Sequence, residues 1–188
     1  QRRRLERDVG PVRFEADDKN VAVFDAVVRW KAAQYRASGF FDGFSVPANV
    51  ELFRRLHAAG LVLVSSLWAG DTLLAGHLGA SHERRLAWWV PAYDAQFGKY
   101  SPGRLLLKDL IAWSHARGDV EFDFLIGAED YKFNFATHNR VIGPVGVMPL
   151  RERLVRDARW KAREALSHFP RVEAAARELK RTVTSFRR

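Results

Sequence analysis

At Gly60 the chain exchanges one hydrophobic period for another, and that switch limits its fold more than any other feature. Upstream, Val21, Phe24, Val27, Val28, Lys31 and Tyr35 recur at spacings of three and four, the signature of one buried helix face. Asn20 is placed to cap that helix and Gly39 to end it. A second helix is predicted over 47–59, with Pro47 in its first turn, Val50, Phe53 and Leu56 on one side and Gly60 as its stop. Downstream, Leu61 to Ala69 is apolar and β-rich, Gly70-Asp71 turns the chain, and Thr72 to Ser81 returns. His82 to Arg85 makes another polar turn into Leu86–Val90, so three strands in tight succession form an antiparallel meander.

The remaining pattern completes a mixed α/β unit. Pro11–Glu15 alternates as a short strand after a frayed basic lead-in. After the meander the strand runs out through Tyr93 and Asp94, and a loop leads to a helix from Ser101 to Arg117, stopped by Gly118. A strand over 120–126 closes at Gly127, and a short helix near 129–136 precedes a last strand over 141–148. From 151 the pattern is helical, with Leu154, Ala158, Ala162, Ala165 and Phe169 on one stripe. Pro170 breaks it, and Val172, Ala176, Leu179, Val183 and Phe186 form a second stripe. The expected division is therefore a domain over 1–150 and a basic amphipathic extension over 151–188, whose stripes need the core, a partner chain or an acidic lipid surface to lie on.

Charge supports that division. The formal net charge of +9 suggests a nucleic-acid partner until it is placed along the chain. Residues 151–188 hold twelve Arg or Lys against five Asp or Glu, and residues 1–10 hold four against two. Residues 11–150 carry fifteen of each sign, so the domain itself is neutral and nucleic acid is not its expected partner. No apolar run approaches the 18 residues of a membrane span, and the Arg-rich start lacks the apolar stretch of a signal peptide. The absence of Cys excludes disulfides, thiolate metal sites and a Cys nucleophile, and fits a cytoplasmic location. The histidines show no metal-ligand spacing, so no metal is expected.

The chemistry concentrates between Trp88 and Gly118. Ser101 suits an N-cap and Pro102 the first helical position, while Gly103 removes bulk and Arg104 adds a cation. The first amides of a helix lack internal partners and carry the positive end of its dipole, so this start either binds phosphate or simply begins a helix. Trp88 and Trp89 point to opposite faces of a strand, one into the core and one toward a cleft.

Three segments in order carry a family resemblance: Pro91-Ala92-Tyr93-Asp94 with Tyr100-Ser101-Pro102-Gly103-Arg104-Leu105-Leu106-Leu107; Phe122-Asp123-Phe124-Leu125-Ile126-Gly127; and Asp130-Tyr131-Lys132-Phe133. Together with the meander before them they resemble a GNAT N-acyltransferase domain over about residues 20–148, nearest the subgroup of the cellulose-biosynthesis protein CelD and the FemABX aminoacyltransferases. The resemblance implies a mostly antiparallel central sheet flanked by helices, with acyl-CoA (acetyl-CoA) as co-substrate. Its pyrophosphate would lie at Ser101, Pro102, Gly103, Arg104 and Leu105, with Lys132 reaching phosphate or pairing with Asp123. Tyr131 would protonate the departing thiolate, and Asp123 would take a proton from the acceptor amine, unless each is spent on packing or on backbone amides. Trp89, Tyr93 and Asp94 would face the acceptor, a small-molecule or saccharide amine such as a polysaccharide precursor. The phosphate loop is poorer in glycine and basic residues than the family's usual one. The chain also looks like the C-terminal half of longer members, so a separate N-terminal half or a second copy would complete the site. A tRNA-dependent aminoacyltransferase and a non-catalytic GNAT-like module are the other readings.

Overall fold

The computed structural model describes residues 1–127, 129–143, 146 and 149–167. They divide into two compact units, Gln1–Ala136 and Thr137–Arg188. In the first, helix α1 (Arg2–Asp8) leads into strand β1 (Val12–Glu15), followed by helices α2 (Val21–Ala37) and α3 (Pro47–Ala58). The meander follows as β2 (Val62–Ala69), β3 (Thr72–His82), β4 (Arg85–Ala87) and β5 (Val90–Tyr93). Helix α4 (Pro102–Ala116), strand β6 (Glu121–Asp123) and the one-turn helix α5 (Asp130–Phe133) complete the unit.

The sheet runs β1-β2-β3-β4-β6, and β5 continues on β3 beyond β4. All pairings are antiparallel except β4 with β6, which α4 connects in parallel. The expected helices lie where their punctuation put them: the Asn20 side chain accepts the Ala22 amide at 3.0 Å, Pro47 opens α3, and Gly60 leaves it at φ 72°. One face of the sheet meets α2 and α3 through Val23, Val27, Phe53, Val64 and Leu78. A second cluster gathers Leu67, Leu86 and Trp88 with Leu106, Leu107 and Leu110 of α4.

Three local expectations are corrected, and a fourth is tested only in part. The lead-in is not frayed: Leu5 of α1 is fully buried and joins Ala69, Leu74 and Tyr100 in a third cluster, and Arg2 pairs with Asp109. A single leucine among charges is a weak signal in sequence and a strong anchor in space. The third strand is not continuous, because Trp88 and Trp89 separate β4 from β5. Ser81 faces Leu86 and Leu78 faces Val90, so residues 79 and 80 oppose residues 87 to 89, which is a β-bulge. Strand β6 stops at Asp123 rather than 126, because Leu125 adopts φ 58° and its amide turns onto the Asp123 carboxylate at 2.7 Å. Finally, Val141–Gly143 has no regular structure, and residues 144, 145, 147 and 148 of the expected last strand lie outside the described residues.

In the second unit, helix α6 (Leu150–Ser167) carries Leu150, Leu154 and Trp160 exposed. The second expected stripe, Val172 to Phe186, lies outside the described residues.

Candidate active site

The bulge and the early end of β6 together open the sheet. Strands β4 and β6 stay paired through Ala87 and Asp123, and the Trp88 amide still donates to the Asp123 carbonyl at 2.8 Å. Beyond that bond β5 follows β3, while the chain after β6 turns away through the left-handed Leu125 and Gly127 at φ 127°. Parallel strands that part in this way expose peptide groups without ladder partners, which is where a sheet can hold an extended ligand.

Tyr131 stands at this opening. It is 39% exposed, and its hydroxyl oxygen accepts the Trp88 indole N–H at 3.1 Å. Trp88 is buried on the α4 side and Trp89 is exposed on the other, its ring 4.7 Å from that of Phe53. The bulge is held from below by His77, whose Nε2 accepts the Trp89 amide at 3.1 Å while its ring stacks on Trp88 at 4.4 Å. An imidazole can accept there only if that nitrogen is unprotonated. Burial lowers the His77 pKa to about 3, against a smaller opposing influence from the Ala87 carbonyl, so the ring is neutral. Its Nδ1 is buried without a partner of hydrogen-bonding geometry, so the Ala87 contact is electrostatic rather than a formed bond. Gly79 makes room: a Cβ there would overlap the His77 ring and come within 2.8 Å of the Ala87 carbonyl oxygen.

Beyond β5 the chain leads to the start of α4. Ser101 precedes it in the left-handed region, φ 53° and ψ 52°, and its side chain caps nothing, contrary to the expected N-cap. The cause is the 3-10 turn Ala95–Tyr100, whose Gly98 carbonyl takes the Ser101 amide at 2.9 Å and rotates the residue. The Ser101 carbonyl in turn takes the amides of Arg104 (3.0 Å) and Leu105 (3.2 Å). Pro102 has no N–H, so Gly103 supplies the one first-turn amide without a hydrogen bond among the described residues. Beside it runs a groove lined by Arg2, Arg104, Lys108, Asp109, Asn134 and Phe135, with the Arg104 guanidinium 5.9 Å from the Phe135 ring centroid. Leu105 lines the same groove and packs into the core.

The remaining expected residues divide. Tyr93 is exposed, and its ring lies over the start of α4, 3.9 Å from a Cβ built on Gly98 and 3.4 Å from one on Gly103. Asp94 is a turn former, accepting the Gln96 amide at 2.9 Å. Lys132 is buried and committed to Glu129 at 2.8 Å and to the carbonyls of Ile126 and Gly127, so it meets neither Asp123 nor the groove. Among the described residues no group of three His, Asp or Glu is gathered as for a metal.

A model of the acetyltransferase (GNAT) domain matches residues 1–133, more than half of the chain. The chain belongs to the GNAT acetyltransferase family. Solved structures share the fold of this GNAT domain at low identity. An aminoglycoside acetyltransferase from an uncultured soil metagenomic sample, solved with trehalose, is 14% identical with TM-score 0.54, over 73% of this chain and 96% of that one. A GNAT acetyltransferase from Brucella melitensis, solved with acetyl-CoA, is 13% identical with TM-score 0.52, over 73% and 91%. A predicted acetyltransferase from Clostridium acetobutylicum, also with acetyl-CoA, is 11% identical with TM-score 0.52, over 75% and 97%. No curated protein sequence matches the chain.

Sequence reasoning gave no role to two side chains that hold the backbone around this opening. His77 sits in an otherwise apolar strand, where the flanking glycines Gly76 and Gly79 were the available signal. Lys31 lies on the predicted buried face of α2, and its ammonium donates to the Pro91 carbonyl of β5 at 3.2 Å. Burial lowers the Lys31 pKa, opposed by the Glu129 carboxylate. Among the described residues no helix is long and apolar enough to cross a membrane.

Proposed function

We propose that this GNAT domain transfers an acetyl group from acetyl-CoA to a primary amine on a small polar acceptor, an amino sugar being the favoured class. The observation that carries the reading is the Tyr131 hydroxyl held by Trp88 at the mouth of the β5–β6 opening. The residues suit a coenzyme A thioester: the Gly103 amide offers a donor to phosphate, Arg104 and Lys108 add positive charge, and the opening exposes peptide groups. The neighbour named as an aminoglycoside acetyltransferase supports the amino-sugar class, and the segments from Pro91 and Tyr100 onward support kinship with CelD and FemABX.

Attack by the amine nitrogen forms a C–N bond, and the C–S bond breaks with its electron pair on sulfur. Tyr131 gives that sulfur its proton. Asp123 keeps one carboxylate oxygen on the Leu125 amide, and its other oxygen is the group we assign to receive the amine proton. Holding both reactants at one opening supplies much of the rate, since it makes a bimolecular step effectively unimolecular.

Thiol release from acetyl-CoA over a panel of aminoglycosides, glucosamine and polyamines tests the proposal. Turnover on at least one amino sugar is expected. No release with any amine, and no acetyl-CoA-dependent rise in melting temperature, would reject it.

A further inference from the structure

The β-bulge does more than open the sheet. The Trp88 indole N–H is a donor only, and it reaches Tyr131, 43 positions away in sequence, at 3.1 Å. A phenol oxygen that accepts this bond must aim its own hydrogen elsewhere, away from Trp88. The Trp88 ring is in turn not free to swing. It is 4% exposed and stacked at 18° on the His77 imidazole, with the Phe122 ring centroid 6.3 Å from its own. His77 is itself fixed through its bond to the Trp89 amide, in the space that Gly79 leaves.

We propose that Trp88, wedged by His77, is the positioning residue that aims the Tyr131 hydroxyl into the opening and steadies its oxygen as the proton leaves. The inference rests on the reading of Tyr131 as the acid. As the C–S bond breaks, the Tyr131 O–H bond breaks and an S–H bond forms, and negative charge grows on the phenol oxygen. A donor already aimed at that oxygen binds the charged form more strongly than the neutral one, so it favours the transition state over the ground state. The proton that Asp123 takes from the amine nitrogen then passes through solvent to the phenolate, which restores both groups.

Turnover of acetyl-CoA with the fastest amine of the panel, in a double-mutant cycle, tests the relay. Trp88→Phe removes the N–H and keeps an aromatic ring. It should lower kcat about tenfold, the worth of one hydrogen bond to a charging oxygen, with KM for acetyl-CoA unchanged. In a Tyr131→Phe background the same change should cost less than about twofold, because the two groups act as a unit. Equal losses in both backgrounds, or none in the wild-type background, overturn the relay and leave Tyr131 as the acid. A Tyr131→Phe variant with full turnover removes both assignments, as does a panel in which nothing turns over. Should Trp88→Phe fail to fold, replacing the indole by benzothiophene keeps the ring size, deletes the N–H and gives the same comparison.

Discussion

The Tyr93 ring lies against the bare Cα of Gly103, its Cδ1 3.4 Å from where a Cβ would begin. An alanine fits that gap at ordinary contact distance, whereas the branched methyls of valine would push into the ring. The same Gly103 carries the α4 amide that has no hydrogen bond among the described residues. Gly103→Ala should therefore fold normally, and Gly103→Val should weaken acetyl-CoA binding at least about tenfold, the scale of one charge-assisted bond. Calorimetric titration of both variants checks this. Unchanged affinity in Gly103→Val would move the phosphate site elsewhere.

Asp123 has a structural duty and a proposed chemical one, and asparagine separates them. In Asp123→Asn the side-chain amide oxygen can still accept the Leu125 amide and hold the left-handed turn, but it cannot take a proton. The variant should melt within a few degrees of the wild type and lose about 10²-fold in kcat, the usual scale for a missing general base. A fully active variant would leave Asp123 as a turn former alone.

His77 makes stability depend on pH. Its folded pKa, about 3, is depressed below the ordinary histidine value of 6.5, so the unfolded chain binds a proton that the fold refuses. The contribution is fully present above pH 6.5 and is lost progressively as pH falls from there toward 3. Urea denaturation across that window should show a decline for the wild type of up to about 1.4 kcal/mol per pH unit from this one proton. His77→Asn should remove that share of the slope, and an unchanged slope would mean that another group sets it.

What could be read from the sequence follows from how local its causes are. The cap of Asn20, the first-turn Pro47 and the stop at Gly60 act within a few residues, and α2 and α3 lie as those residues predict. The bulge at Trp88–Trp89 was not legible, because its cause is an imidazole from the neighbouring strand accepting a main-chain amide. Ser101 misled for a similar reason: its amide is taken by Gly98, so a residue type suited to capping sits in a conformation that cannot cap. Of the candidate site, Tyr131 was singled out through the resemblance and Gly103 from its place in a helix start, while Lys132 is spent on Glu129 and His77 gave no periodic signal.

Helix α1 gives the clearest energetic test of a misread segment. Leu5 is fully buried against Ala69, Leu74 and Tyr100. Leu5→Ala should destabilise the domain by about 2–5 kcal/mol, the range for truncating a leucine in a packed core. Chemical denaturation measures it directly. A cost near zero would return the segment to the status of a frayed lead-in.

The sheet and all three hydrophobic clusters lie within Gln1–Ala136, and so do Tyr131, Asp123, Gly103 and the basic groove. The fragment 1–136 should accordingly fold and bind acetyl-CoA with the affinity of the full chain. Its melting temperature reports what the rest of the chain contributes. A drop of more than about 4 °C corresponds to about 1 kcal/mol in a domain of this size, and would mean that residues 137–188 dock on the domain. An unchanged melting temperature with a fall in sedimenting mass would mean that they join two copies, with Leu154 and Trp160 of α6 among the candidates for burial there. A fragment that is unfolded, or folded without affinity for acetyl-CoA, would show that the catalytic unit extends past Ala136.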